Sequence, residues 1–173
     1  YGEQLSRSWV NAPVSVDKIQ PLLAHRRRAG ERVLLVVLDG CGLAQWAHIV
    51  ESAPIRVLRP GASLAMIPTL TSVSRQAIAA GETPSSFADS IDTTAKEPER
   101  WRSAWRDEGV TATWLRTDGA HVDELDAVPF TTSDVIGLVV SATDELMHGA
   151  ELLGDAGFHS GVDTWLRGGV IGE

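Results

Sequence analysis

At 173 residues the chain has the length of one ordinary domain, and 43% hydrophobic against 22% charged residues is the balance of a water-soluble globular fold. Glycine and proline, at 16 and 8, are too few for a disordered, collagen-like or low-complexity chain. Fifteen basic against 23 acidic side chains give a net charge of -8, which argues against polyanion binding driven by bulk charge but leaves room for a small anion held by a metal or a helix end.

The single cysteine, Cys41, can make neither an internal disulfide nor a thiolate zinc cluster, so a reducing compartment is expected, the cytoplasm by default. The longest unbroken apolar run, Val33–Leu38, is six residues, far below the roughly 20 needed to cross a bilayer. The chain opens on Tyr1 and carries no signal-peptide pattern, so it reads as an excised piece of a larger protein.

In chain order, residues 16–23 fit an amphipathic helix with a basic tail, Arg26, Arg27 and Arg28, whose cations complement the helix dipole as a solvated last turn. Val33–Leu38 is continuous and rich in branched residues, the pattern of a strand buried on both faces of a parallel sheet. It stops at Asp39-Gly40, and residues 43–50 turn helical, so strand, turn and helix open an α/β layer. The short runs 55–58 and 64–67 suit a second strand region among prolines, with Pro68 biasing Ile67 toward extended backbone. Thr71–Ala80 reads as a helix, with Thr69, Thr71, Ser72 and Ser74 available to cap it and Gly81 to end it. Residues 82–96 form a polar surface loop, and 97–108 a helix that buries Trp101 and Trp105 at i, i+4 spacing. A strand over 110–115, a loop over 116–128 and a third apolar strand, Val135–Val140, follow. Helical character returns over 145–153 and 161–166, and Val170-Ile171 reads as the start of a further strand. The whole is an α/β fold, a mainly parallel sheet with helices on both faces, one domain over residues 1–173.

Three polar clusters fall at the carboxyl side of predicted strands: Asp39-Gly40, Thr69 to Ser74, and Asp144 with His148. Ligands bind open α/β sheets along that edge, so the clusters point to one shared site. Asp39 is either a turn residue or a carboxylate ligand for a hard or borderline cation. Asp144 and His148 share a helix face, where they form either an exposed salt bridge or a common metal site. Thr71 is either a cap or a hydroxyl nucleophile whose phosphorylated form sits at a helix N-terminus. Arg75, one turn later, either contacts a phosphate oxygen or pairs with a surface carboxylate. His25, His48 and His121 read as surface or core residues, and Cys41 as a small buried hydrophobe outside the site.

Leu34-Leu35-Val36-Val37-Leu38-Asp39-Gly40, then Ile67-Pro68-Thr69-Leu70-Thr71-Ser72-Val73-Ser74-Arg75-Gln76-Ala77, then Asp144-Glu145-Leu146-Met147-His148-Gly149 resemble, in this order, the PglZ domain family of the alkaline phosphatase superfamily. The similarity runs through nearly the whole chain and includes Lys96-Glu97 followed by Trp101; the stretch from Pro68 to Arg75 is its most specific part. PglZ proteins belong to the BREX and phage growth limitation systems of bacterial defence against phage, and the resemblance is closest to the BREX branch.

The resemblance implies an alkaline-phosphatase-like core and a phosphatase or phosphodiesterase that uses two divalent metal ions, zinc or manganese. It makes Asp39 the first acidic ligand of one metal, Thr71 the nucleophile that binds the same metal, and Asp144 and His148 ligands of the second. The mechanism implied is in-line attack on phosphorus, then hydrolysis of a phosphothreonine. The superfamily's later Asp-His pair and final His have no counterpart here, and His159 does not fit them, so half of each metal shell and an incomplete C-terminus are expected. The implied partners are the other components of a phage-defence complex and a phosphate-ester substrate, with no membrane; a nucleic-acid substrate suits the chemistry but gains no support from charge. The alternative is a catalytically vestigial structural or interaction module of the same complex.

Overall fold

In a computed structural model, which describes residues 14–53, 55–119, 126, 128–149 and 154–168, three stretches become strands: β1 (Val33–Leu38), β2 (Ala112–Thr117) and β3 (Val135–Val140). They form one parallel sheet in the order β1-β3-β2. The central strand, β3, is buried along its full length, which its unbroken apolar sequence permits on both faces. Helices α1 (Ile19–Arg28), α2 (Leu43–Ser52), α3 (Thr71–Ala80), α4 (Glu97–Ala104), α5 (Ala142–Gly149) and α6 (Gly154–Arg167) lie around the sheet.

Several elements depart from the sequence reading. β1 is not buried on both faces: Leu34 is 49% and Val36 46% exposed, and at i, i+2 spacing they share one open face of the strand; β1 is also an edge strand, since no strand lies beyond it among the described residues. The runs 55–58 and 64–67 form no strand; only an isolated parallel bridge joins Ser15 to Leu64, in a stretch where prolines remove backbone donors. The first helix opens with a 3-10 turn, Val16–Lys18, and α1 then carries straight through the arginines. A 3-10 stretch, Pro84–Ser90, interrupts the loop over 82–96. The helix over 97–108 stops at Ala104 and continues as a 3-10 turn closed by left-handed Gly109. β2 starts two residues later than the strand predicted over 110–115. α5 starts at Ala142, ahead of 145, and α6 at Gly154, ahead of 161, because Phe158, Val162 and Trp165 make one apolar stripe along it. The strand start at 170–171, His121 and most of the loop over 120–127 lie outside the described residues.

The described residues group into two compact units, one drawn from residues up to 35, 61–114 and 130–137, the other from 36–60, 115–129 and 138 onward. In the first unit Met66, Val73, Ala77 and Phe87 form an apolar cluster with Val16 and Ile91 packed against it. Trp101 and Trp105 are fully buried as predicted, meet edge to face at 5.4 Å, and Trp101 also tilts against Trp114 at 5.1 Å. The last turn of α1 is ion-paired as well as solvated: Arg26 meets Glu31, Arg27 meets Asp134 at 3.0 Å, and Arg28 makes a two-pronged pair with Glu108. In the second unit α6 packs on α2 and α5. His48 Nε2 lies 2.9 Å from Asp163 Oδ1, the His48 and His159 rings stack at 4.4 Å, and the Trp165 indole donates to the Gly119 carbonyl at 2.6 Å.

Gly137 on β3 faces the Trp114 ring so closely that an added Cβ would fall 2.1 Å from it. Gly137→Ala therefore overpacks a rigid aromatic contact and should lower the unfolding free energy by about 1–3 kcal/mol, read from the urea midpoint at constant slope. Hydrogen bonding to Arg28 holds the Glu108 carboxyl below the usual carboxylate range. Its contribution to stability is thus present above the ordinary glutamate pKa and fades as pH falls through the lowered one. In an NMR titration, Arg28→Ala should move the Glu108 carboxyl back up to the ordinary range.

Candidate active site

The acidic end of β1 is fixed by the neighbouring central strand. The Asp39 amide donates to the Val140 carbonyl at 2.9 Å, and the buried Thr143 hydroxyl donates to the Asp39 carbonyl. The Asp39 residue is 7% exposed. Gly40 then turns the chain at φ +68°, and a Cβ there would sit 2.9 Å from both Cα and Oδ1 of Asp144. Asp144 lies in the first turn of α5, where the helix dipole favours a carboxylate, and His148 follows one turn on with Nε2 3.8 Å from Asp144 Oδ1. Asp39, Asp144 and His148 thus lie in one unit, past the carboxyl ends of adjacent strands, with Asp144 against the turn that follows Asp39.

Ser141 and Thr143 anchor this arrangement, a role the sequence reading did not give them. The Ser141 amide donates to the Thr117 carbonyl at 3.0 Å, and its hydroxyl donates to Glu145 Oε1 at 3.0 Å. Hydroxyl residues between an apolar strand and a carboxylate were the available signal, since such a position needs side-chain donors to satisfy buried strand-end carbonyls. Cys41, read from the sequence as a small buried hydrophobe, is only half-buried, and desolvation pushes its thiol pKa up.

Thr71 and Arg75 belong to the other unit. Thr71 is the exposed first residue of α3, whose N-cap is Leu70, and no side-chain hydrogen bond caps the helix. The predicted hydroxyl cap is therefore corrected: the extended backbone of Leu70 places Thr71 and Ser72 inside the helix, and the Ser72 hydroxyl donates instead to the Ile91 carbonyl at 2.7 Å. Gly81 ends the helix as expected, left-handed at φ +70°. Arg75 is 4% exposed and its guanidinium meets Glu97 at 2.6 Å, so its ion-pair partner is a buried carboxylate and not a surface one.

Residues 16–153 match the profile of the BREX system PglZ alkaline phosphatase-like domain. The chain belongs to the PglZ family. Asp39, Thr71, Arg75, Asp144 and His148 all fall within the matched stretch. No curated protein matches the sequence. The mixed α/β architecture with its parallel sheet is consistent with the alkaline-phosphatase-like core of a PglZ domain.

Two carboxylates and one imidazole are suitable donors for a divalent cation of borderline hardness. Among the described residues of the PglZ domain, however, no three His, Cys, Asp or Glu side chains converge as a metal ion requires, so these residues do not form a closed shell by themselves. Nor is any helix among the described residues long and apolar enough to cross a membrane.

The left-handed turn and the contact with Asp144 both require glycine at position 40. Gly40→Ala should destabilise the domain by roughly 1–2 kcal/mol from backbone strain, with more from the displaced Asp144 backbone, as measured by chemical denaturation. An unshifted midpoint would show that the 40–144 contact does not form in solution.

Proposed function

We propose that this PglZ domain is a metal-dependent phosphatase or phosphodiesterase of a BREX defence complex, with Thr71 as its nucleophile. The observation that carries the reading is the placement of Thr71: an exposed hydroxyl at the start of a ten-residue helix that no side chain caps. The first backbone amides of such a helix have no intrahelical acceptor, and the dipole adds positive potential, so a phosphoryl group on Thr71 would be stabilised there. Asp39, Thr71, Asp144 and His148 are the assigned ligands. Zinc or manganese held by them would supply Lewis-acid activation of the hydroxyl and neutralise charge on the leaving oxygen.

Thr71 Oγ1 attacks phosphorus in line as its hydroxyl proton passes to solvent; its bond to phosphorus forms as the bond to the leaving oxygen breaks, and that oxygen departs with the electron pair and takes a proton from solvent. Water then cleaves the phosphothreonine and restores the hydroxyl. The buried, backbone-pinned Asp39 and the helix-start Asp144 keep their carboxylates in place through both steps. We place the domain in the cytoplasm with the other components of the complex, a setting that suits its lone cysteine.

The lack of a converging triad among the described residues favours a second reading, a structural or interaction module with vestigial chemistry. Hydrolysis of an aryl phosphodiester by the full-length protein with added manganese or zinc separates the two. Thr71→Ala and Asp39→Ala should each lower kcat by about a thousandfold or more. Wild-type rates in both variants, or a full-length protein that binds no metal by elemental analysis, would overturn the catalytic reading.

A further inference from the structure

We infer that Glu97 is a positioning residue for Thr71, acting through Arg75; the inference rests on the reading of Thr71 as nucleophile. Glu97 opens α4, is 1% exposed, and its Oε2 accepts two hydrogen bonds, from Arg75 Nη2 at 2.6 Å and from the Trp114 indole at 3.1 Å. One carboxylate oxygen thus joins three elements of the same unit: α3, which begins at Thr71, α4 itself, and β2. Arg75 lies one helical turn after Thr71, so the link grips α3 next to the residue that must be held.

A buried ion pair is a poor way to gain stability. Removing two charges from water costs about as much as their attraction returns, and well-packed apolar pairs of similar volume are often as stable. What the pair supplies is direction: a two-centre hydrogen bond fixes the rotation and axial register of a helix, whereas an apolar contact tolerates sliding. The other polar supports of α3 fall within its first two turns. Ser72 donates to the Ile91 carbonyl at 2.7 Å and Gln76 to the Ser90 carbonyl at 2.7 Å, while Arg100 donates to Gln76 Oε1 at 2.9 Å and to the Ser90 hydroxyl at 2.7 Å. Residues 72, 75 and 76 are held by directional bonds, while Val73, Ala77, Ile78 and Ala79 are buried as apolar packing. Such bracing suits a helix that must present a reacting atom, since a misplacement of about 1 Å costs on the order of a hundredfold in rate.

The test uses the full-length protein and replaces the pair by apolar residues of similar volume, Arg75→Met with Glu97→Leu, so that no lone buried charge remains. The expected result is an unfolding midpoint equal to or above wild type, a kcat per folded molecule on an aryl phosphodiester lowered about ten- to a hundredfold, and KM within about twofold. Amide hydrogen exchange should quicken over residues 70–76 and stay unchanged over α1. A role limited to stability predicts neither the kcat loss in a fully folded variant nor the local exchange. Glu97→Gln, which keeps an acceptor for Trp114 but leaves the buried Arg75 cation without its carboxylate, gives a second reading when kcat is taken per folded molecule, and should lower it about three- to tenfold at constant KM. If both variants keep wild-type kcat and exchange while Thr71→Ala abolishes turnover, the positioning role is overturned and the nucleophile stands. If Thr71→Ala keeps full turnover, the nucleophile and the positioning role fall together.

Discussion

The alignment of strand ends on β3 is the constraint from which the placement of Asp39 and Asp144 follows. A parallel sheet places the carboxyl ends of its strands along one edge, and β3 lies between β1 and β2. The Val140 carbonyl at the end of β3 takes the Asp39 amide, and Ser141 immediately after it takes the Thr117 carbonyl. Those bonds level the three strand ends and leave Asp39 and Asp144 as neighbours. Once the levels are fixed, the turn at Gly40 has room for nothing larger than hydrogen, and α5 has to begin with its carboxylate against that turn.

The first unit is organised by a different principle. Its tryptophans fill the interior, where Trp101 and Trp105 contribute area and no hydrogen bond from either indole to the described residues. Charge is placed by pairing: the arginines of α1 meet Glu31, Asp134 and Glu108, and the deep pair of Arg75 and Glu97 is closed off from solvent. Pairs at the surface of α1 add little stability and fade in salt, whereas the deep pair lies beyond the reach of mobile ions and keeps its geometry across salt concentrations. A net charge of -8 is therefore compatible with local cationic groups that are already neutralised within the fold.

What was legible in the sequence was local. The apolar run of β3 and the helix Thr71–Ala80 with its terminating Gly81 stand where pattern and turn chemistry put them, and Asp39 directly follows β1 as Asp144 follows β3. What was not legible depends on residues distant in the chain. The edge status of β1 follows from the order of strands, which six apolar residues cannot encode. The partner of Arg75 lies 22 residues away, on another helix, with no periodic signal to join them. The capping expectation failed for a simpler reason: several hydroxyls stood near the helix start, and a Leu70 backbone in extended conformation decided which of them fell inside it. The family match covers residues 16–153 and so supports the framework of the site, while the roles of single side chains still rest on their chemistry.

The close approach of Gly137 and Trp114 makes two positions on different strands behave as one. The indole occupies the space that a side chain at 137 would fill, and its N–H is the second donor to Glu97. Enlarging residue 137 demands a smaller residue at 114, and a smaller residue at 114 removes that donor. A side chain missing from the central strand is thus what lets the sheet take part in bracing the helix that carries Thr71, and the freedom of either position to vary is set by the other.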